Sequence, residues 1–268
     1  MAAQTKRKST KTSSRAEPPP PPLRILCFGD SLTAGYPVGH PYAAKVAQKI
    51  EETFPGREVE CAVEGVPGDL VTTGWFLNRM QMQMQMSWAL GKPYDWTIVL
   101  GGTNDLAWNM PADAIVEALK RVWDIPLSKG GKVLALTILE TKGNYPTTTE
   151  RRNEVNDFIR SYEKENFFHF DLFKELPYHN MSPQDRGKYW DPDGVHLQAA
   201  GYDLMGEKIG DALARILRLA EAQSTDISSV VSDARQRKAI EDLIFEEEMG
   251  NPRLLSQGYI VVRKKDLD

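Results

Sequence analysis

The chain reads as an α/β protein, a three-layer α/β/α sandwich around a five-stranded parallel sheet. Two observations predict this. Short apolar runs recur five times, and between them lie longer segments whose apolar residues return every three or four positions. A strand buried on both faces is continuously apolar, and a helix laid over it shows a single apolar stripe. Strand then helix, repeated, gives a sheet covered on both sides by right-handed crossovers.

The strand candidates are LRILCF at 23–28, EVECAV at 58–63, WTIVL at 96–100, KVLALTIL at 132–139 and FFHF at 167–170. Helical spacing follows four of them. Tyr42, Val46 and Ile50 come after the first, and Ile115, Leu119 and Val122 after the third. Val155, Ile159 and Tyr162 follow the fourth, and Met205, Ile209, Leu213 and Leu217 the fifth. Pro111 and a capping box formed by Thr147 and Glu150 mark two helix starts. The run MQMQMQM at 80–86 has the period of a strand, but a parallel sheet demands a crossover helix at that point, and a helix is predicted. Its methionines either fill the core or line a pocket.

A chain of 268 residues allows one substantial core with appendages. Residues 1–22 are basic and then proline-rich, and are expected to form a disordered arm; residues 23–221 hold the catalytic domain. Residues 222–268 form an extension with a linker, a helix in ARQRKAIEDLIFEEEM and a strand in GYIVVR, which docks on the core or on a protein partner. The net charge of −4 argues against nucleic acid as a partner. No run approaches the roughly 20 apolar residues of a membrane span, and MAAQTKRKSTKTSSRAE lacks the apolar segment of a secretory signal. A cytoplasmic protein is expected, with the KRK run serving as a solvated tail, a nuclear address or part of an organellar transit peptide. The two cysteines, Cys27 and Cys61, fall in strands and read as inert core thiols.

In an open parallel sheet, reactive groups gather on the loops that leave the carboxyl ends of the strands. The first strand ends in Gly29-Asp30-Ser31-Leu32, a serine on a tight turn, whose hydroxyl is a poor nucleophile until a base takes its proton. After the second strand, Gly65-Val66-Pro67-Gly68 lets backbone N–H groups approach a ligand. After the third, Gly101-Gly102-Thr103-Asn104 supplies a carboxamide that either donates to an oxyanion or caps the next helix. Ahead of the last helix, Asp193-Gly194-Val195-His196 sets a carboxylate three residues before one of only four histidines. That spacing lets Asp193 fix the imidazole tautomer while the other ring nitrogen serves as base to Ser31.

Other enzyme classes fit less well. Thr33 occupies the last place of what would be Gly-x-Ser-x-Gly, and neither a phosphate-binding loop with Gly-Lys-Ser/Thr nor Gly-x-Gly-x-x-Gly follows a strand. Asp191-Pro192-Asp193-Gly194 looks like the motif of magnesium-dependent aspartyl phosphatases, but that motif ends a first strand and this one lies late in the domain.

The four loops together resemble the SGNH hydrolase superfamily, or GDSL esterase/lipase family, whose letters stand here as Ser31, Gly68, Asn104 and His196. The resemblance runs from about residue 23 to 219, with the motifs in family order. It implies a flavodoxin-like sheet in the order 2-1-3-4-5, with Ser31 as nucleophile, His196 as base and then acid, and Asp193 as its orienting partner. It also implies an oxyanion hole made of the Ser31 and Gly68 backbone N–H groups and the Asn104 side chain. Glu64 departs from the family pattern, where asparagine commonly precedes the glycine. The implied activity is hydrolysis of small carboxylic esters, short-chain acyl or acetyl esters first, through an acyl-serine, without cofactor or metal. Thioester hydrolysis or acyl transfer on the same triad, and a non-catalytic scaffold, are the alternatives. Trp75, Trp108 and Trp190 either bound the substrate site or pack structurally.

Overall fold

Alternate residues of the first strand face opposite helical layers, and this places the core on both sides of one sheet. The computed structural model describes residues 21–224. Strands β1 (Leu23–Gly29), β2 (Val59–Gly65), β3 (Trp96–Leu100), β4 (Lys132–Leu136) and β5 (Phe167–Phe170) pair in parallel in the order β2-β1-β3-β4-β5. The predicted sandwich and its strand order are thus observed.

The connecting helices are α1 (Ser31–Ala34), α2 (Ala43–Thr53), α3 (Trp75–Ala89), α4 (Thr103–Ala107), α5 (Ala112–Leu127), α6 (Pro146–Ser161), α7 (Leu172–Glu175), α8 (Pro183–Tyr189) and α9 (Ala199–Ser224). A single 3-10 turn spans Val71–Thr73. Among the described residues, 21–210 belong to one compact unit, and a second begins at Asp211, of which the end of α9 is described. The arm expected over 1–22 and the extension over 222–268, with its helix and strand, lie outside the described residues apart from 21–22 and 222–224. Among the described residues no helix is long and apolar enough to cross a membrane.

On one face, Leu26, Phe28, Val99, Val133 and Ala135 pack with Phe76, Met80 and Met84 of α3, Ile115, Leu119 and Val122 of α5, and Val155 and Ile159 of α6. The period-two methionine run is a helix, and the reason is visible in its burial. Met80 and Met84, one turn apart, enter the core, while Met82 and Met86 lie on the exposed side. On the other face α2 meets α9, where a side chain at Gly206 would collide with the carbonyl of Tyr42 and with Lys45.

Three features differ from the sequence expectation by more than a residue or two at a strand end. The fourth strand stops at Leu136 rather than continuing to 139. β5 has ended by then, and Asn156 of α6 takes over the backbone of Ile138, accepting from its N–H at 2.7 Å and donating to its carbonyl at 2.9 Å. The pair Thr147 and Glu150 does not cap α6, because Pro146 stands at its first turn and starts the helix ahead of them, with Tyr145 as N-cap. Cys61 is half-buried rather than buried because β2 is the edge strand, whereas Cys27 on β1 is enclosed. A hydrogen bond with Cys61, and then burial, push the Cys27 thiol well above its ordinary value, as suits an inert thiol.

Candidate active site

Three loops begin side by side because three strands end in register. Gly29 of β1 pairs with Gly65 of β2 on one side and with Leu100 of β3 on the other. The Val66 N–H donates to the Gly29 carbonyl at 3.1 Å, carrying the contact past the strand ends. Gly65 is required by a close approach: a Cβ there would lie 2.2 Å from the Ala34 nitrogen and 2.7 Å from the Asp30 carbonyl oxygen. The serine turn therefore rests directly on the main chain of β2.

Ser31 heads α1, so its own backbone N–H has no acceptor within the helix. Asp30 is the N-cap, accepting from the Leu32 N–H at 3.0 Å. Its second carboxylate oxygen is buried without a partner. Burial pushes the Asp30 carboxyl up to about 7, aided by the Asp105 charge and opposed by the Leu32 N–H and the His196 charge.

That shift makes a prediction about stability. An unfolded chain releases the Asp30 proton near the ordinary value of 3.8, whereas the folded protein keeps it to about 7. The folded state thus binds the extra proton between these values, and stability falls as pH rises through the window. The full loss, reached above about pH 7, is on the order of 4 kcal/mol at roughly 1.4 kcal/mol per unit. Asp30→Asn keeps the oxygen that caps Leu32 and cannot ionise. Urea unfolding between pH 4.5 and 8 is expected to show a steeper decline for the wild type than for the variant, and parallel curves would refute the assignment.

The loop after α8 brings the imidazole to the serine. Its backbone is closed on itself: the Asp191 N–H donates to the His196 carbonyl and the Gly194 N–H to the Asp191 carbonyl, both at 2.9 Å. Trp190 and Leu197 add an antiparallel bridge across its base, and the Lys142 N–H donates to the Gly194 carbonyl at 2.7 Å. His196 Nε2 lies 2.8 Å from Ser31 Oγ, and His196 Nδ1 lies 2.6 Å from Asp193 Oδ2. Asp193 Oδ1 accepts from the N–H groups of Val195 at 2.8 Å and His196 at 2.9 Å. Partial burial raises the Asp193 carboxyl, but the His196 ring bond, these two N–H groups and the imidazole charge together hold it below its ordinary value. An ionised carboxylate only accepts, so Nδ1 carries a proton, and in the neutral imidazole Nε2 turns its lone pair to the Ser31 hydroxyl. The Tyr36 ring meets the imidazole edge-to-face at 4.9 Å.

Asn104 is tied to the residue that follows Gly68. The Asn104 carboxamide donates to the Asp69 carbonyl at 2.9 Å, leaving its second N–H available. Gly68 has φ +78 and open space where a side chain would stand, so its backbone is approachable. Asp105, fully buried, accepts from the N–H groups of Val71 at 3.0 Å and Thr72 at 3.1 Å and from the Thr72 hydroxyl at 2.7 Å. Asn104 and Asp105 thus both hold the loop that contains Gly68.

The structure brings together Ser31, Asp193 and His196, and sets Gly68 on the loop after β2 and Asn104 in the first turn of α4, which follows β3. Glu64, the departure from the family pattern, contributes its backbone carbonyl to Arg79 Nη1 at 3.2 Å. Of the three tryptophans weighed as pocket walls, Trp190 is buried and packs on Tyr178 with ring centroids 5.1 Å apart, so it supports the histidine loop from beneath. Trp75 and Trp108 are exposed. Sequence reasoning missed Asp30, Tyr36, Arg79 and Asp105. For Arg79 a signal existed: it falls at helical spacing among Phe76, Met80 and Met84, where a charge has no reason to stand unless it is paired.

The chain is similar to known proteins in sequence family and in fold. Residues 27–204 match the model of the GDSL-like Lipase/Acylhydrolase family. A lipolytic protein of the G-D-S-L family from Veillonella parvula is 22% identical, with a TM-score of 0.55 over 72% of this chain and 98% of its own. The psychrotrophic esterase EstA from a Pseudoalteromonas species is 14% identical, with a TM-score of 0.58 over 73% of this chain and 99% of its own. A lipase from a goat rumen metagenome is 18% identical, with a TM-score of 0.57 over 71% and 97% respectively. At these identities the likeness is one of fold. No curated protein matches the chain.

Proposed function

Since the chain belongs to the GDSL-like lipase/acylhydrolase family, and is thereby a hydrolase, we propose that it cleaves carboxylic esters through an acyl-serine at Ser31. The observation that carries this reading is the unbroken hydrogen-bonded line from Ser31 Oγ through His196 to Asp193. Ser31 Oγ attacks the ester carbonyl carbon while its proton passes to His196 Nε2, and Asp193 offsets the imidazolium charge. The carbonyl oxygen becomes an oxyanion facing the Ser31 and Gly68 N–H groups and the Asn104 carboxamide. The C–O bond then breaks, His196 gives its proton to the departing alkoxide, and an alcohol leaves. Water, deprotonated by His196, attacks the acyl-serine; the bond to Oγ breaks, His196 returns the proton to Ser31 Oγ, and the carboxylic acid is released.

Short-chain acyl or acetyl esters are the proposed substrates. Two measurements test the proposal with the full chain. A fluorophosphonate probe is expected to label wild type and to leave Ser31→Ala unlabelled; equal labelling of both would overturn Ser31 as nucleophile. Across p-nitrophenyl esters of two to twelve acyl carbons, kcat/KM is expected to be highest for the shortest. A maximum at the long end would replace the substrate class while keeping the chemistry.

A further inference from the structure

We propose that Arg79, on the helix that follows the Gly68 loop, is a positioning residue that aims the oxyanion donors, an inference that rests on the acyl transfer proposed at Ser31. Its guanidinium is enclosed, with the side chain 8% exposed and that of its partner Asp69 4% exposed. Nε donates to Asp69 Oδ2 at 2.8 Å, and Nη2 reaches the same oxygen at 2.8 Å. Nη2 also donates to the Gly29 carbonyl at 2.9 Å, and Nη1 to the Glu64 carbonyl at 3.2 Å. The guanidinium carbon lies 4.5 Å from the Phe28 ring centroid and 5.1 Å from that of Phe76, rings that themselves meet edge-to-face.

These partners are the segments that carry the donors. Gly29 is two residues before Ser31, Glu64 precedes Gly65 at the end of β2, and Asp69 directly follows Gly68. The Asp69 carbonyl is also the acceptor that orients the Asn104 carboxamide. One cation therefore sets the spacing among the turns bearing the Ser31 N–H, the Gly68 N–H and the Asn104 amide. A buried ion pair adds little net stability, because desolvating both charges offsets their attraction. Stability alone does not account for an arginine on the core face of α3, whereas fixing three chain segments at once does. Only a planar fork with several donors fills this place; a lysine ammonium brings three donors from a single point and no bidentate geometry.

The test is Arg79→Lys in the full chain, assayed on p-nitrophenyl acetate beside Asn104→Ala and the double variant. Losing one oxyanion donor costs about 10²–10³ in turnover. Arg79→Lys, which misaims rather than removes donors, is expected to lower kcat about 10- to 100-fold with KM within about threefold of wild type. In the Asn104→Ala background the same change is expected to cost less than it does in the wild type, because one of the three donors it aims is already gone. An unchanged kcat in the folded variant, a loss confined to KM, or losses that simply multiply would each overturn the proposal. Should Arg79→Lys fail to fold, Asp69→Asn weakens the same tie from the other side and is read by the same criteria. A readout without turnover separates this inference from the esterase reading: 15N NMR signals of the Gly68 amide and the Asn104 carboxamide. They are expected to move in Arg79→Lys while those of β4 stay in place, and signals that stay put overturn the role of Arg79. A wild type that hydrolyses no ester would sink the esterase reading instead.

Discussion

Replacing Ser31 with alanine is expected to lower kcat by about 10⁶, the order found when the nucleophile of a serine protease is removed. The change takes away only the Oγ that lies 2.8 Å from His196 Nε2. The features that shape the site remain, since the backbone N–H at position 31, the Asp30 cap and the Gly65 contact do not depend on the hydroxyl. Alanine is also a good helix former at the head of α1. Binding is thus expected to survive, with KM near the wild-type value, so that the loss falls on the chemical step. The residual rate reflects the oxyanion donors and proximity, which in serine proteases lacking a triad member still exceed uncatalysed hydrolysis by about 10³–10⁴. Steady-state kinetics together with mass spectrometry of quenched enzyme would check this. An acyl adduct at another residue, or kcat within tenfold of wild type, would end the assignment.

The second large effect is expected at Asp193. Asp193→Asn is isosteric, yet its cost in kcat is expected to be about 10⁴, by analogy with the same exchange in the Ser-His-Asp template. The reason lies in how the carboxylate is held. Oδ1 accepts from two backbone N–H groups, of Val195 and His196, so an asparagine will turn its oxygen to that side. Its NH₂ then falls where Oδ2 now stands, 2.6 Å from Nδ1. A donor there favours the tautomer with its proton on Nε2, and a protonated Nε2 cannot receive the serine proton. Fluorophosphonate labelling rates and kcat should fall together, while urea stability stays close to wild type. If the variant turns over within about tenfold of wild type, Asp193 does not set the tautomer.

Much of this arrangement was legible in the chain itself. Apolar runs ending in Gly29-Asp30-Ser31, in Gly65 and in Leu100 place three loops at one end of a parallel sheet, because side-chain period and strand direction are local properties. The pairing of Asp193 with His196 was legible for the same reason, being only three residues long. What escaped is what depends on contacts between distant segments. Asp105 reaches back to Val71 and Thr72, Asn156 takes the backbone of Ile138 away from the sheet, and Arg79 gathers Gly29, Glu64 and Asp69. Each is a polar side chain satisfying main-chain groups, and no periodicity announces such a bond. Trp190 was ambiguous for a related cause, as proximity in sequence to the histidine does not tell whether a ring lies above or below the loop.

The absent side chain at Gly65 governs what can vary around the nucleophile. Main chain lies against main chain there, so the hydroxyl takes its position from atoms every residue shares. Neighbouring side chains can be exchanged and the surrounding packing can readjust without transmitting much displacement to it. A single methyl at that contact has no such slack to draw on, since it meets a peptide nitrogen and a carbonyl oxygen that belong to the reactive turn itself.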